Sequence, residues 1–390
     1  MMSKYFLIIP IFFLFSCKKE DFIIKSSNDI KKALATYDSI YLLNEREDKL
    51  NFDKSYIFKS MYEGNQHAYS DLLLKKNGNF LLSCARAKQI TDFTRQDIVF
   101  VESIDSGKTW KDRRLLAHSG LENYINASMP SLINLSDNHI LLFYSVKYSD
   151  KRIDMMKKES FDGGKNWTDD VVVYKSDIGY QTVNNNRVLY VNGRLFIPIA
   201  ITNNPNDLNE SISKNMSIYL LYSDDLGKTW SKTENIKLPG LALLEPGIEY
   251  LGGDELLMNI RLNIGSVLFA RSKDFGLNWT FEVSDFASPS SPQKILRINE
   301  TGDLLIVWNN TLNNPAKHWG NRSPLSIAIS KNKGKTWEFL QNLESDLGFD
   351  YSYPSMTQDK QNVYITYYEL NQSVGYAIKL IKFKKSEFIK

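Results

Sequence analysis

Cysteine is nearly missing from this 390-residue chain: Cys17 and Cys84 are the only two. Two thiols cannot form a disulfide framework, and the four histidines are scattered, so no cluster has metal-ligand spacing. Charge of one sign is lacking too. Lys and Arg number 48 against 45 Asp and Glu, a formal net charge of +3 with the basic residues dispersed. That balance argues against nucleic acid as a partner. The apolar run at residues 5–15 is too short to cross a bilayer as a helix. No metal or organic cofactor is implied. What the chain does have is apolar mass: 43% hydrophobic residues and 13% aromatic, enough for one large core.

An eight-residue pattern occurs five times. The copies are Ser103-Ile-Asp105-Ser-Gly107-Lys-Thr-Trp110, Ser160-Phe-Asp162-Gly-Gly164-Lys-Asn-Trp167, Ser223-Asp-Asp225-Leu-Gly227-Lys-Thr-Trp230, Ser272-Lys-Asp274-Phe-Gly276-Leu-Asn-Trp279 and Ser330-Lys-Asn332-Lys-Gly334-Lys-Thr-Trp337. Their serines lie 57, 63, 49 and 58 residues apart. A motif recurring at that interval marks a repeat architecture with one supersecondary unit per copy. Asp or Asn can accept from nearby backbone amides, Gly can take φ > 0, and Trp can pack on the next unit, so each copy suits a tight hairpin turn.

A second repeat is strand, short polar turn, strand. Its six instances are residues 69–86, 130–144, 186–200, 245–261, 291–310 and 353–369, with turns such as Asn77-Gly78, Asn192-Gly193 and Gly302-Asp303. The first five are each followed by a box, so the chain reads as an all-β, six-bladed β-propeller of four-stranded antiparallel blades. Residues 372–383 supply a third strand to the sixth blade. Residues 39–43 are the expected fourth, closing the ring by joining the chain's two ends.

The first and last residues of a hairpin share the end opposite its turn. The six mouths therefore lie on one face and the boxes on the other. Chemistry is expected at the mouths, where Arg86, Asp92, Asn186, Arg187, Glu245, Arg261, Trp308, His318, Arg322 and Tyr353 collect.

The boxes resemble the Asp-boxes of sialidases and other β-propellers, and the resemblance extends over about residues 65–370. In that family a Tyr is the nucleophile, a Glu activates it, an Asp is the acid/base, and three Arg hold the substrate carboxylate. The resemblance implies Tyr353, in Tyr-Pro-Ser-Met, as nucleophile, Glu245 as its activator and Asp92 as acid/base. It implies Arg261 and Arg322 as carboxylate-binding arginines, with Arg86 six residues before Asp92. A carboxylate on the anomeric carbon repels an anionic nucleophile, and a phenol stays neutral until a base takes its proton. One position departs. Where the family carries Arg-Ile-Pro, this chain has Tyr69-Ser70-Asp71, so Arg187 or Arg86 substitutes, or the ligand is not a standard sialic acid. Arg187, Asn186, Trp308 and His318 complete the expected substrate-binding set.

The resemblance implies a retaining glycoside hydrolase releasing a terminal acidic sugar, an exo-α-sialidase. The alternatives are a hydrolase or lyase of uronic-acid polysaccharide, and a non-catalytic glycan-binding propeller. At the N-terminus, Lys4, the apolar run and Ser16 suit a secretory signal. Leu14-Phe15-Ser16-Cys17 resembles the lipobox of bacterial lipoproteins, and Lys18-Lys19-Glu20-Asp21 resembles a surface-export tether. The expected organisation is a signal peptide at 1–16, lipidated Cys17 opening a tether at 17–35, and the propeller at 36–390. That places the protein as an outer-membrane lipoprotein at the cell surface, with an ordinary cleaved signal peptide as the alternative.

Overall fold

The computed structural model describes residues 49–389 except 120–123, 137, 150, 176–179, 203–215, 239 and 313–320. The expected signal peptide, Cys17, the tether and His318 lie outside the described residues.

Six antiparallel sheets form a β-propeller. Blade one holds β2 (Gln66–Leu74), β3 (Phe80–Ala87), β4 (Asp97–Ser103) and β5 (Lys111–Ala117). Blade two holds β6 (Asn126–Asn134), β7 (Ile140–Ser149), β8 (Arg152–Ser160) and β9 (Val171–Tyr174). In blade three the inner strand is split into β10 (Gln181–Thr182) and β11 (Leu189–Val191). Both halves pair with β12 (Arg194–Thr202), followed by β13 (Met216–Ser223) and β14 (Ser231–Lys232). Blade four is β15 (Leu244–Gly252), β16 (Glu255–Arg261), β17 (Ser266–Ser272) and β18 (Thr280–Ala287). Blade five is β19 (Lys294–Arg297), β20 (Leu304–Trp308), β21 (Leu325–Ser330) and β22 (Glu338–Glu344). Blade six is β23 (Asp350–Gln358), β24 (Asn362–Asn371) and β25 (Gly375–Lys384), completed by β1 (Phe52–Phe58).

The ring thus closes with an N-terminal strand, but the strand is not the expected one. Phe52–Phe58 pairs with β25 from Phe52↔Phe383 to Phe58↔Ile378. The apolar run at 39–43 lies outside the described residues. The less hydrophobic Phe52–Phe58 serves because an outermost strand buries little of itself, and residues 53–56 are exposed.

The core lies between blades. Leu256, Met258 and Ile260 of β16 pack toward blade three, while Leu257 between them packs with Ile306 and Phe339 of blade five. A middle strand buried on both faces explains why such stretches read as continuous apolar runs.

The five boxes fold alike. In each, the Ser Oγ accepts from the Gly amide, at 2.9, 2.8, 2.7, 2.8 and 2.8 Å in chain order. The Asp or Asn Oδ1 accepts from the amide four residues on, at 2.8, 2.8, 2.9, 2.8 and 2.9 Å. Gly107 adopts φ +86°, and a Cβ there would lie 2.7 Å from Leu380 of blade six, so the box packs against the neighbouring blade through a position only glycine fits. Register places the boxes. Ser103 pairs with Phe80, which pairs with Leu74, at the hairpin-turn end of blade one, whereas Arg86 pairs with Asp97 and His67 at the mouth. Ser272 and Arg261 mark the same two ends of blade four.

Candidate active site

The inner strands break their ladders at matching points. Register shifts fall between Ala68 and Asp71, Ser128 and Ser131, Leu244 and Gly247, and Ser352 and Ser355. The residues inside these bulges have left-handed backbones: Tyr69 (φ 54°), Met129 (58°), Glu245 (46°) and Tyr353 (55°). Asn186 (φ 56°) holds the corresponding place in the gap between β10 and β11. Such conformations are rare for non-glycine residues and bulges re-aim a side chain, so this strained position is how the fold re-aims one residue in each of five blades; blade five has no counterpart among the described residues. Met129, Glu245 and Tyr353 each precede a proline, whose missing N–H is tolerated where the ladder is already interrupted.

Two of these residues meet. The Tyr353 hydroxyl donates to Glu245 Oε1 at 2.8 Å, and Arg261 Nη1 donates to Glu245 Oε2 at 2.7 Å. Arg261 Nε also donates to Ser290 Oγ at 3.1 Å. Arg322 lies over the Tyr353 ring, 5.5 Å from its centroid, and its Nη1 donates to the Tyr368 hydroxyl. Tyr368 stacks on Tyr353 at 5.5 Å, and Tyr69 meets Tyr353 edge-on at 4.8 Å.

Burial alone would push the Glu245 carboxyl up. Arg261, with help from Arg322 and the Tyr353 hydroxyl, instead holds it below its usual value. Burial raises the Tyr353 phenol well above its ordinary value and the Glu245 charge adds to this, while Arg261 and Arg322 oppose both. The resting state is an ionised Glu245 accepting from a neutral Tyr353, between two cations.

A buried polar layer braces these residues. Asp71 accepts from the Leu132 amide (2.6 Å), Asn186 Nδ2 (2.8 Å) and Ser355 Oγ (2.8 Å), linking blades one, two, three and six. Asn185 Nδ2 donates to the Ser70 and Tyr353 carbonyls at 2.7 and 3.1 Å.

The structure brings Tyr353, Glu245, Arg261 and Arg322 together and leaves other expected residues elsewhere. Asp92 lines a small cavity of mixed polarity with Tyr69, Asn126, Met129, Lys147 and Ile153, and Tyr69 also packs on Tyr353. Arg86 donates to Asp97 at 3.1 Å and no hydrogen bond joins it to Tyr353 or Glu245. Arg187 is 2% exposed and donates to the Gln293 carbonyl. Burial lowers its pKa to about 10 against the pull of Glu245, Tyr353 and Asp71. Asn186 is spent on bracing, since its Oδ1 also accepts from the Met356 amide at 3.2 Å. Trp308 corrects the expectation for a substrate-binding ring. It is fully buried, donates to the Ala287 carbonyl at 3.1 Å, and packs against Phe286 and Phe339, which leaves no face for a sugar.

Sequence reasoning missed Tyr368 and Ser290. Tyr368 sits in Tyr367-Tyr368-Glu369, where alternation allows either tyrosine to face the axis; Ser290 is one of three serines in Ser288-Pro-Ser-Ser291. At Tyr69 the sequence showed the departure from the family pattern but not that its ring packs on Tyr353.

All-β blades around a mouth-side Tyr–Glu–Arg cluster define a propeller of the sialidase type. The chain belongs to the family described as BNR repeat-like domain, whose model matches residues 94–365. Among solved structures it is similar to a Hadza microbial sialidase, at 17% identity and a TM-score of 0.71, covering 86% of this chain and 69% of that one. It is also similar to a protein of unknown function from Dyadobacter fermentans, at 20% identity and TM-score 0.65, over 85% and 98% of the two chains. Trypanosoma rangeli sialidase in complex with sialic acid matches at 13% identity and TM-score 0.67, over 88% of this chain. This chain covers only 60% of that enzyme. Identities this low show the fold alone. No curated protein matches the sequence.

Proposed function

We propose that this propeller is a retaining exo-α-sialidase, releasing a terminal sugar that carries a carboxylate on its anomeric carbon. The observation that carries the reading is the buried chain Tyr353–Glu245–Arg261, with the phenol 2.8 Å and the guanidinium 2.7 Å from opposite oxygens of one carboxylate. A carboxylate held ionised beside a neutral phenol is the ground state of an activated tyrosine nucleophile.

The proposed steps rest on this cluster and, for Asp92, on the family resemblance. Arg261 and Arg322 receive the substrate carboxylate, for which guanidinium offers paired donors. Tyr353 passes its proton to Glu245 and its oxygen attacks the anomeric carbon. Asp92 gives a proton to the departing glycosidic oxygen as that bond breaks. Water then attacks the anomeric carbon, yielding its proton to Asp92, while the bond from that carbon to the Tyr353 oxygen breaks and Tyr353 recovers its own proton from Glu245. Two arginines and a tyrosine, rather than three arginines, face the acidic group, so an acidic sugar other than the common sialic acid is a second substrate to test.

At the N-terminus we propose that lipidation of Cys17 anchors the protein in the outer membrane with the propeller at the cell surface. More than one acyl chain is needed for a stable anchor, and a lipoprotein cysteine carries several. The test of activity is release of free sialic acid from sialyl-lactose. An unsaturated, ultraviolet-absorbing product from polyuronate would identify a lyase instead, and binding without turnover a lectin.

A further inference from the structure

We infer that the groove between the outer edges of blades six and one is a second binding site, taking an acidic polysaccharide chain. The inference is independent of the catalytic reading, because the groove runs along the outer wall, away from the axial Tyr353. It has a volume of about 440 Å³ and is lined by Tyr56, Tyr62, Trp110, Lys108, Lys111 and Arg113. That is room for sugar-sized ligands.

The two tyrosine rings are each 44% exposed yet held in place. The Tyr56 hydroxyl donates to Glu369 Oε1 at 2.7 Å, and Lys379 sits 5.2 Å from the ring centroid. Tyr62 contacts the Phe58 ring at 5.5 Å and lies 6.0 Å from the Arg113 guanidinium. The turn that presents Tyr62 places Met61 (φ 55°) and Glu63 (φ 49°) in the left-handed region. It is closed by the Gly64 amide on the Met61 carbonyl at 2.8 Å and Asn65 Nδ2 on the Glu63 carbonyl at 2.9 Å. Each such residue costs on the order of 1 kcal/mol or more, and nothing in the catalytic cluster needs this turn. What it achieves is a tyrosine fixed at the lip of the groove. Rings immobilised in advance lose little freedom when a ligand stacks on them.

Charge selects the ligand. Lys108 and Lys111 are exposed and make no side-chain hydrogen bond or ion pair among the described residues. Arg113 pairs with Glu63, so three cations face one carboxylate. Flat rings interleaved with uncommitted ammonium groups fit a chain of sugar rings bearing spaced acid groups. A nucleic acid demands a broader positive field than a chain of 48 basic and 45 acidic residues supplies, and it would meet Glu63. A polymer held here would keep its ends at raised local concentration near the axial pocket.

The test is affinity electrophoresis of the full chain through gels containing polygalacturonate or neutral dextran. Polygalacturonate should retard the protein and dextran should not, and added salt should weaken the retardation. Lys108→Ala/Lys111→Ala and, separately, Tyr62→Ala should each weaken binding by roughly tenfold, a loss of about 1.4 kcal/mol. Both change exposed side chains, and the lysine variant should turn over sialyl-lactose as the wild type does. Retardation equal in wild type and both variants would overturn the inference, as would no retardation by polygalacturonate or equal retardation by dextran. Loss of turnover in step with loss of polymer binding would place the polymer in the axial pocket and overturn it as well.

Discussion

Arg261→Met should turn Glu245 from a balanced charge into a liability, with a signature that depends on pH. The two side chains are 10% and 9% exposed and 2.7 Å apart. Breaking a buried pair from one side costs about 3–5 kcal/mol, since the remaining charge is left desolvated. In the wild type Glu245 has a folded-state pKa below its unfolded value, so its contribution is present above the unfolded pKa and lost as pH falls through the folded one. Without Arg261, burial dominates and the folded pKa moves above the unfolded value. The variant then keeps Glu245 neutral in acid and loses stability as pH rises through that raised pKa. The deficit against wild type should therefore be largest near pH 8 and shrink toward the carboxylate range. Urea unfolding at a series of pH values measures it, provided m is unchanged. Glu245→Gln/Arg261→Met removes the stranded charge and keeps a partner for Tyr353, so it should recover most of the loss. A deficit independent of pH, or a double variant as unstable as the single one, would refute the assignment of Arg261 as the partner that keeps Glu245 ionised.

Other outcomes follow from the same geometry. Gly247→Ala should cost about 1–3 kcal/mol by urea unfolding, because a Cβ there would lie 2.8 Å from Asn259 Oδ1 and 3.0 Å from Arg187 Nη1. Arg322→Ala should weaken inhibition by acidic sugars much more than by neutral ones, read as the ratio of inhibition constants, because a charge-assisted contact is lost. Cys17→Ser should move the protein from the membrane to the soluble fraction; unchanged fractionation would exclude a lipid anchor.

Much of the propeller was legible because its signals are local. Serine, Asp or Asn, glycine and tryptophan at fixed offsets build each box from its own backbone, and Asn77-Gly78 or Asn192-Gly193 turns announce their hairpins without help from distant residues. The closing strand was misplaced for the opposite reason. Phe52–Phe58 exposes residues 53–56, so apolar content pointed to the run at 39–43 instead. Within the site, the Tyr353–Glu245 pairing followed from hairpin mouths and family pattern together. The left-handed bulge that aims both residues did not, although Met129-Pro130, Glu245-Pro246 and Tyr353-Pro354 carry its trace. Trp308 was mistaken for a ligand-binding group because sequence does not distinguish a strand-end side chain aimed at solvent from one turned into the core. Tyr69 shows a further limit: the position was found, but its packing on Tyr353 depends on two blades meeting across the ring closure.

The central claim is that Tyr353 attacks the anomeric carbon. Incubation with 2,3-difluorosialic acid followed by mass spectrometry of the intact protein and its peptides tests it most directly. The fluorine at C3 slows breakdown of a covalent glycosyl intermediate, and the fluoride at C2 leaves when the phenol attacks. The account predicts one added sugar, located on Tyr353 and missing in folded Tyr353→Phe. Turnover of sialyl-lactose with no adduct on Tyr353, or an adduct that persists in Tyr353→Phe, would contradict it.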